Sequence, residues 1–280
     1  MHSLYIYRDE WKRSFDRKYI ENGFELCYNS ANNFIRVTPP SENGNGKPRA
    51  KPNSSKPAVY NFISSILAIN PYEFHVLESS SCTQHIDSRV KYIIKRVSNK
   101  SGFPREHEVL SKLPKNRLFS NIFGYIANRQ GSVNWIIIHK RGVCLSMMRR
   151  DFLNNQDNVN RLMVNLKQAV VKMYDAGVIH YDLKLGNIAY DAEINTFSFF
   201  DFDKAFLFKE MASNSKSSYF DTSSGFIINR NISLEQAFCV TLQSLLATVE
   251  RSSPLLFKKI DTLNKSKCRD QTKKPKKPKK

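Results

Sequence analysis

Cysteine is scarce and follows no pairing pattern. Cys27, Cys82, Cys144, Cys239 and Cys268 make an odd count with no Cys-x-x-Cys spacing. That argues against a disulfide scaffold and against a structural zinc site, so the five read as core or surface thiols. Long apolar runs are missing too. The longest, Phe197–Phe208, is broken by Asp201, Asp203 and Lys204 and falls short of the roughly 20 residues that span a bilayer. The first ten residues are charged and lack the apolar core of a signal peptide. An intracellular protein of a reducing compartment, with no membrane partner, is the expectation. Acids are outnumbered: 25 against 44 Lys and Arg, a net charge of +19. This admits nucleic acid, acidic proteins, phosphorylated substrates and anionic surfaces as partners. The charge is uneven, however, because residues 265–280 alone carry +8. Apolar residues at 41% and charged residues at 25% exclude wholesale disorder. The 280 residues make one large domain or two small ones.

Residues 1–38 form an N-terminal extension with short strands at Leu4–Tyr7 and Phe34–Val37. Residues 39–57 (PPSENGNGKPRAKPNSSKP) hold nothing from which to build a core and read as a linker or long loop. Patterned sequence runs from 58 to 264, and a basic, disordered tail fills 265–280. Val90–Val97 (VKYIIKRV) predicts a strand. Phe103–Leu113 predicts a helix with Pro104 in its first turn. Val159–Ala176 predicts a longer helix, apolar at Val159, Leu162, Met163, Leu166, Val170 and Met173 and stopped by Gly177. Ile188–Tyr190 and Phe197–Phe200, joined by DAEINT, predict a hairpin. Ser233 with Gln236 predicts a capping box opening a helix through Val249.

Chemistry concentrates at His180-Tyr181-Asp182-Leu183-Lys184-Leu185-Gly186-Asn187, between the long helix and the hairpin. Asp201-Phe202-Asp203 follows at the hairpin's far end. Phosphoryl transfer from a nucleotide needs a carboxylate for the attacking hydroxyl's proton, a lysine near the moving phosphate, and oxygen ligands for magnesium. Asp182, Lys184 and Asn187 place those three groups in one loop. Asp201 adds a hard oxygen suited to Mg²⁺.

This pattern resembles the protein kinase superfamily, with its H-R-D-L-x-x-x-N catalytic loop and D-F-G metal loop. The resemblance runs over roughly residues 60–250 and matches in style the short, aberrant Ser/Thr kinases of viruses and bacterial effectors. It implies an α+β, two-lobed protein-kinase-like fold: a small β-rich N-lobe with hinge over 58–142 and a reduced, mostly helical C-lobe over 143–264. Lys95 would hold the α- and β-phosphates of ATP, and Glu106 (with Glu108 as the fallback) would position it. Ile138 would be the gatekeeper, and His139, Lys140 and Arg141 would offer hinge backbone to adenine. Asp182 would be the catalytic base, Lys184 would steady the γ-phosphate, and Asn187 and Asp201 would bind Mg²⁺.

The departures are definite. Leu77–His85, the best counterpart of the glycine-rich loop, contains no glycine. Tyr181 replaces the loop arginine that would pair with a phosphorylated activation loop. Asp203 replaces the glycine of D-F-G, no A-P-E follows, and the helix from 233 lacks an aspartate near its start. Only 78 residues follow Phe202.

The resemblance implies transfer of the ATP γ-phosphate to a protein Ser or Thr. A pseudokinase scaffold and a small-molecule (sugar or saccharide) kinase stand as alternatives, and a basic nucleic-acid-binding protein as a third. Lys273–Lys280, kept extended by Pro275 and Pro278, would engage a nuclear import receptor or nucleic acid. His75, His85, His107 and His139 show no metal-ligand spacing.

Overall fold

The computed structural model describes residues 3–7, 25–29, 34–38, 74–77, 90–96, 105–127, 133–208, 219–220, 227–228, 232–249 and 253–268. It is α+β and divides into two compact units. The first unit is a seven-stranded sheet of β1 Ser3–Tyr7, β2 Glu25–Asn29, β3 Phe34–Thr38, β4 Phe74–Leu77, β5 Tyr92–Arg96, β6 Ile122–Ala127 and β7 Val133–His139. The spatial order is β2-β3-β1-β6-β7-β5-β4. The three strands of residues 1–38, set apart in the sequence as an extension, therefore lie in the same sheet as Lys95. β1 bridges the two parts by pairing with β3 on one side and β6 on the other. All six residues of β6 are buried, as are Trp135–Ile138 of β7, so this part of the sheet is covered on both faces.

β4 runs parallel to β5, with Leu77 beside Lys95. A parallel pair cannot be joined by a tight hairpin and needs a crossover of about a dozen residues or more. Fourteen residues separate Leu77 from Tyr92, enough length for such a connection. The proposed glycine-loop counterpart after Leu77 lies outside the described residues, as does the linker 39–57.

Helix α1, Arg105–Lys112, follows β5 and belongs by its first turn to this unit. Its second half belongs to the other unit, where Val109, Leu110 and Leu113 are buried as their spacing predicts. The second unit continues with β8 Val143–Cys144 and α2 Gln156–Asp175, then β9 Val178–Ile179, β10 Ile188–Asp191, β11 Thr196–Phe199 and β12 Phe206–Leu207. Two short paired strands follow, β13 Tyr219–Phe220 and β14 Ile227–Ile228, and then α3 Leu234–Val249 and α4 Pro254–Lys267. All six predicted apolar positions of α2 are buried. The helix starts earlier than predicted because the Asn155 side chain accepts from the N–H groups of Asp157 and Asn158. It stops at Gly177, which takes φ +70°. The capping box of α3 forms in both directions: Gln236 N–H donates to Ser233 Oγ, and Ser233 N–H donates to Gln236 Oε1.

Gly142 carries a constraint that glycine alone meets. It has φ +54°, and a Cβ there would lie 2.1 Å from the backbone oxygen of Tyr190, where β8 joins β10. Gly142→Ala is expected to destabilise the protein by roughly 3 kcal/mol, from the left-handed backbone and the overlap together. Chemical denaturation checks this. A midpoint equal to wild type would show that the β8–β10 approach is looser than described.

Helix α4 was not predicted, and it corrects two expectations. Ser253 caps it through Leu256 N–H, Pro254 opens it, and Leu256 and Ile260 bury one face. The helix runs past residue 264, so the tail cannot begin at 265. Cys268 at its end is disulfide-bonded to Cys239 on α3, and both are buried. These two cysteines are therefore not thiols: two helices packed side by side bring together residues 29 apart in sequence. Cys144 is a buried thiol outside the disulfide, as expected.

Candidate active site

In the first unit, β5 carries Lys95 at a buried position and α1 carries Glu106 in its first turn. Their charged groups meet at 2.7 Å, with side-chain exposures of 9% and 1%. The residue that makes this pair is Glu106 rather than Glu108. Glu106 also places negative charge near the positive end of the helix dipole. A buried pair of this kind stays ionised only because the partners compensate one another. Ile138 is buried in β7 opposite Ile93. The His139 ring packs against Tyr92 and Phe123. The His139 N–H donates to Asn121 O and the Lys140 N–H to Lys91 O, each at 2.8 Å. The sheet has thus already used two of the backbone donors that the resemblance offers to adenine. In the second unit, the Arg141 side chain donates to Phe119 O at 3.3 Å.

The second unit builds its cluster by closing a long loop at its base. β9 pairs antiparallel with β12, Ile179 facing Phe206 and Val178 facing Leu207. Everything from His180 to Ala205 is held between these two short strands. Residues just after β9 therefore lie beside residues just before β12. Asp182 Oδ2 accepts from Lys184 Nζ and from Lys204 Nζ, both at 3.1 Å. The Asn187 amide donates through Nδ2 to the Asp182 backbone oxygen at 2.8 Å. Asn187 N–H donates to Lys184 O, and Phe200 N–H to Asn187 O. The loop is thus tied to itself and to the hairpin end that leads into Asp201.

Further contacts fix the loop from behind. His180 is fully buried, and its Nε2 lies 3.0 Å from Phe200 O. Burial lowers its pKa, outweighing that bond and the nearby carboxylates of Asp201, Asp182 and Asp203, so the ring is neutral. Phe202 packs on His180 and Phe119 with no exposure of its own. From α3, Ser244 Oγ lies 3.1 Å from both Tyr181 O and Leu183 O, its single proton shared between them. This hydroxyl braces the backbone on either side of Asp182, in a helix that lacks the aspartate the resemblance would place near its start.

Burial alone would raise the Asp182 pKa. Hydrogen bonds and charge from Lys184 and Lys204 outweigh it and hold the carboxyl below its ordinary value. Lys204 is raised in turn, first by its bond to Asp182. Asp201 is 5% exposed and takes φ +66°, a left-handed backbone in which aspartate is one of the few tolerated side chains. Such strain concentrates at functional sites.

Asn187 and Asp201 are the residues that would offer oxygens to magnesium. The Asn187 NH₂ is committed to a carbonyl, which leaves Oδ1 as its ligating atom. The Asp201 carboxylate would be the second hard oxygen. Among the described residues there is no group of three or more His, Cys, Asp or Glu that could hold a metal alone. A site of one carboxylate and one amide oxygen suits a cation that keeps waters and takes phosphate oxygens as further ligands.

The structure thus joins Lys95 with Glu106 and, separately, Asp182 with Lys184 and Asn187. Lys204 and Ser244 belong to the second cluster and were not predicted. Lys204 was legible only as the residue after Asp203; Ser244 has no sequence signal. The elements follow in the order the resemblance implies: lysine strand, glutamate helix, catalytic loop, metal loop. No protein-family model and no curated protein matches the chain. Among solved structures, it is similar to the kinase PK-1 of Cydia pomonella granulovirus. That likeness has 14% identity and a TM-score of 0.43, over 68% of this chain and 73% of that one.

Proposed function

We propose that the protein transfers the γ-phosphate of ATP to a hydroxyl acceptor, a Ser or Thr side chain of a protein. The observation that carries this reading is the loop 182–187. It holds a carboxylate, an ammonium on that carboxylate, and an amide tied to the same residue's backbone. Lys95, kept in place by Glu106, would align the α- and β-phosphates. Asp182 would orient the acceptor hydroxyl and take its proton as the new O–P bond forms and the bond from the γ-phosphorus to the β–γ bridging oxygen breaks. Lys184 would offset charge on the moving phosphoryl group. Asn187 and Asp201 would hold magnesium, which supplies neutralising charge to the phosphate oxygens when bound. His180 stays neutral and structural, carrying the loop on Phe202 and Phe200.

Asp203 following the Asp-Phe pair favours a second reading, a hydroxyl on a sugar or saccharide as acceptor. Transfer to a metabolite panel with none to proteins would select it. Thermal denaturation with ATP, with and without Mg²⁺, tests both readings. A Mg²⁺-dependent rise in Tm is expected. No shift at millimolar nucleotide would remove both and favour a nucleic-acid-binding role. A shift without transfer to any acceptor would leave a scaffold that binds nucleotide.

The lysine-rich end is proposed to serve localisation or nucleic-acid binding independently of transfer. Because Cys268 is bonded to α3, the boundary falls after it. Deleting 269–280 is expected to leave transfer to a soluble peptide unchanged. Deleting 265–280 removes Cys268 and is expected to cost about 3–4 kcal/mol of stability. Side-by-side urea denaturation checks this, and equal midpoints for the two deletions would contradict it.

A further inference from the structure

Lys204 follows the Asp201-Phe202-Asp203 segment, a position to which the reading above gives no task. Its side chain is 61% exposed, yet its ammonium lies 3.1 Å from Asp182. Lys184 approaches the same carboxylate at the same distance, and both bind Oδ2. The two lysines arrive from opposite ends of the loop closed by β9 and β12, one after Asp182 and one after Asp203. A carboxylate held on one oxygen by two cations from two backbone segments cannot rotate freely about its Cβ–Cγ bond. Oδ1 receives neither ammonium.

We propose that Lys204 is a positioning residue. With Lys184 it saturates Oδ2 of Asp182 and fixes the carboxylate so that Oδ1 is the oxygen that takes the acceptor's proton. The inference rests on Asp182 being the base and says which of its atoms acts. As the acceptor oxygen bonds to the γ-phosphorus, its proton passes to Oδ1 and ADP leaves with the electron pair of the broken P–O bond. Lys184 alone would leave the carboxylate on one flexible tether. Orientation of a reacting group governs rate far more than affinity, so the effect of Lys204 falls on kcat.

Three variants of the full chain test this: Lys204→Met, Lys204→Arg and Asp182→Asn. Steady-state transfer with Mg-ATP should give a kcat for Lys204→Met lower by roughly 10- to 100-fold, with the ATP KM within about twofold of wild type. Lys204→Arg should recover most of the loss, since a guanidinium can reach the same oxygen. Because Lys204 is largely exposed, its removal should leave Tm unchanged, which separates positioning from folding. A nucleotide-free readout stands beside the kinetics: the ¹⁵N resonance of the Lys204 ammonium should move in Asp182→Asn. An unmoved resonance overturns the proposal whatever the activity. So does an active wild type whose Lys204→Met turns over normally, or a Lys204→Met whose KM rises while kcat holds. A wild type that transfers no phosphate removes the phosphoryl-transfer reading and this inference with it.

Discussion

Lys95→Met is expected to weaken the fold and abolish transfer, and a second substitution should restore only the fold. Glu106 is 1% exposed, and the single change leaves its carboxylate buried without the ammonium 2.7 Å away. Removing one partner of such a pair costs about 3–5 kcal/mol, whereas replacing both with apolar groups is often neutral or stabilising. Lys95→Met/Glu106→Leu should therefore return the denaturation midpoint to near wild type. Its transfer rate should stay down by roughly 100- to 1,000-fold, the scale for losing one charged stabiliser of a phosphoryl group. Urea denaturation and a transfer assay on the two variants decide the point. If the double variant regains both stability and turnover, the pair is structural and Lys95 has no part in nucleotide alignment.

Asp182→Asn is expected to lower transfer by roughly 100- to 10,000-fold, the usual range for a positioned general base. Its stability should change little, because the two lysines on Asp182 are 39% and 61% exposed and such pairs are worth little. The wild type's pH dependence follows from the same contacts. Burial would raise the Asp182 pKa, but Lys184 and Lys204 outweigh it and the folded value is depressed. The base then stays ionised to lower pH than an ordinary aspartate would. Transfer should decline only as pH falls through that depressed value, and any stability the pairs add is lost in the same direction. A wild-type rate already halved at a pH above the ordinary carboxylate range would contradict this.

The parts of the fold that local chemistry determines were legible in the chain. Val159 through Met173 repeat at helical spacing, so α2 and its buried face followed from pattern alone. Ser233 and Gln236 announced α3, and the DAEINT turn announced the β10–β11 hairpin. Helix α4 was equally local: Ser253-Pro254 is a cap followed by a helix-compatible proline, and Leu256 and Ile260 share a face. Its lysines, continuous in composition with the tail, hid it. The Cys239–Cys268 bond depends on how α3 packs against α4, which no spacing rule encodes. The same holds for β1, whose pairing with β6 joins segments more than 100 residues apart. At the site, Asp182, Lys184 and Asn187 were legible because one short loop carries them. Lys95 and Glu106 lie on consecutive elements and followed from their order. Lys204 was not legible as a partner of Asp182, because its approach depends on the β9–β12 pairing that closes the loop.

The account stands most directly on one measurement: incubation with Mg²⁺ and ATP labelled at the γ-phosphate, over a panel of protein and small-molecule acceptors. Wild type, Asp182→Asn and Lys95→Met/Glu106→Leu are run in parallel. The predicted result is covalent label on an acceptor hydroxyl with wild type, and label reduced at least about 100-fold with each variant. Absence of label on every acceptor with folded wild-type protein, or equal labelling by Asp182→Asn, would contradict phosphoryl transfer at this site.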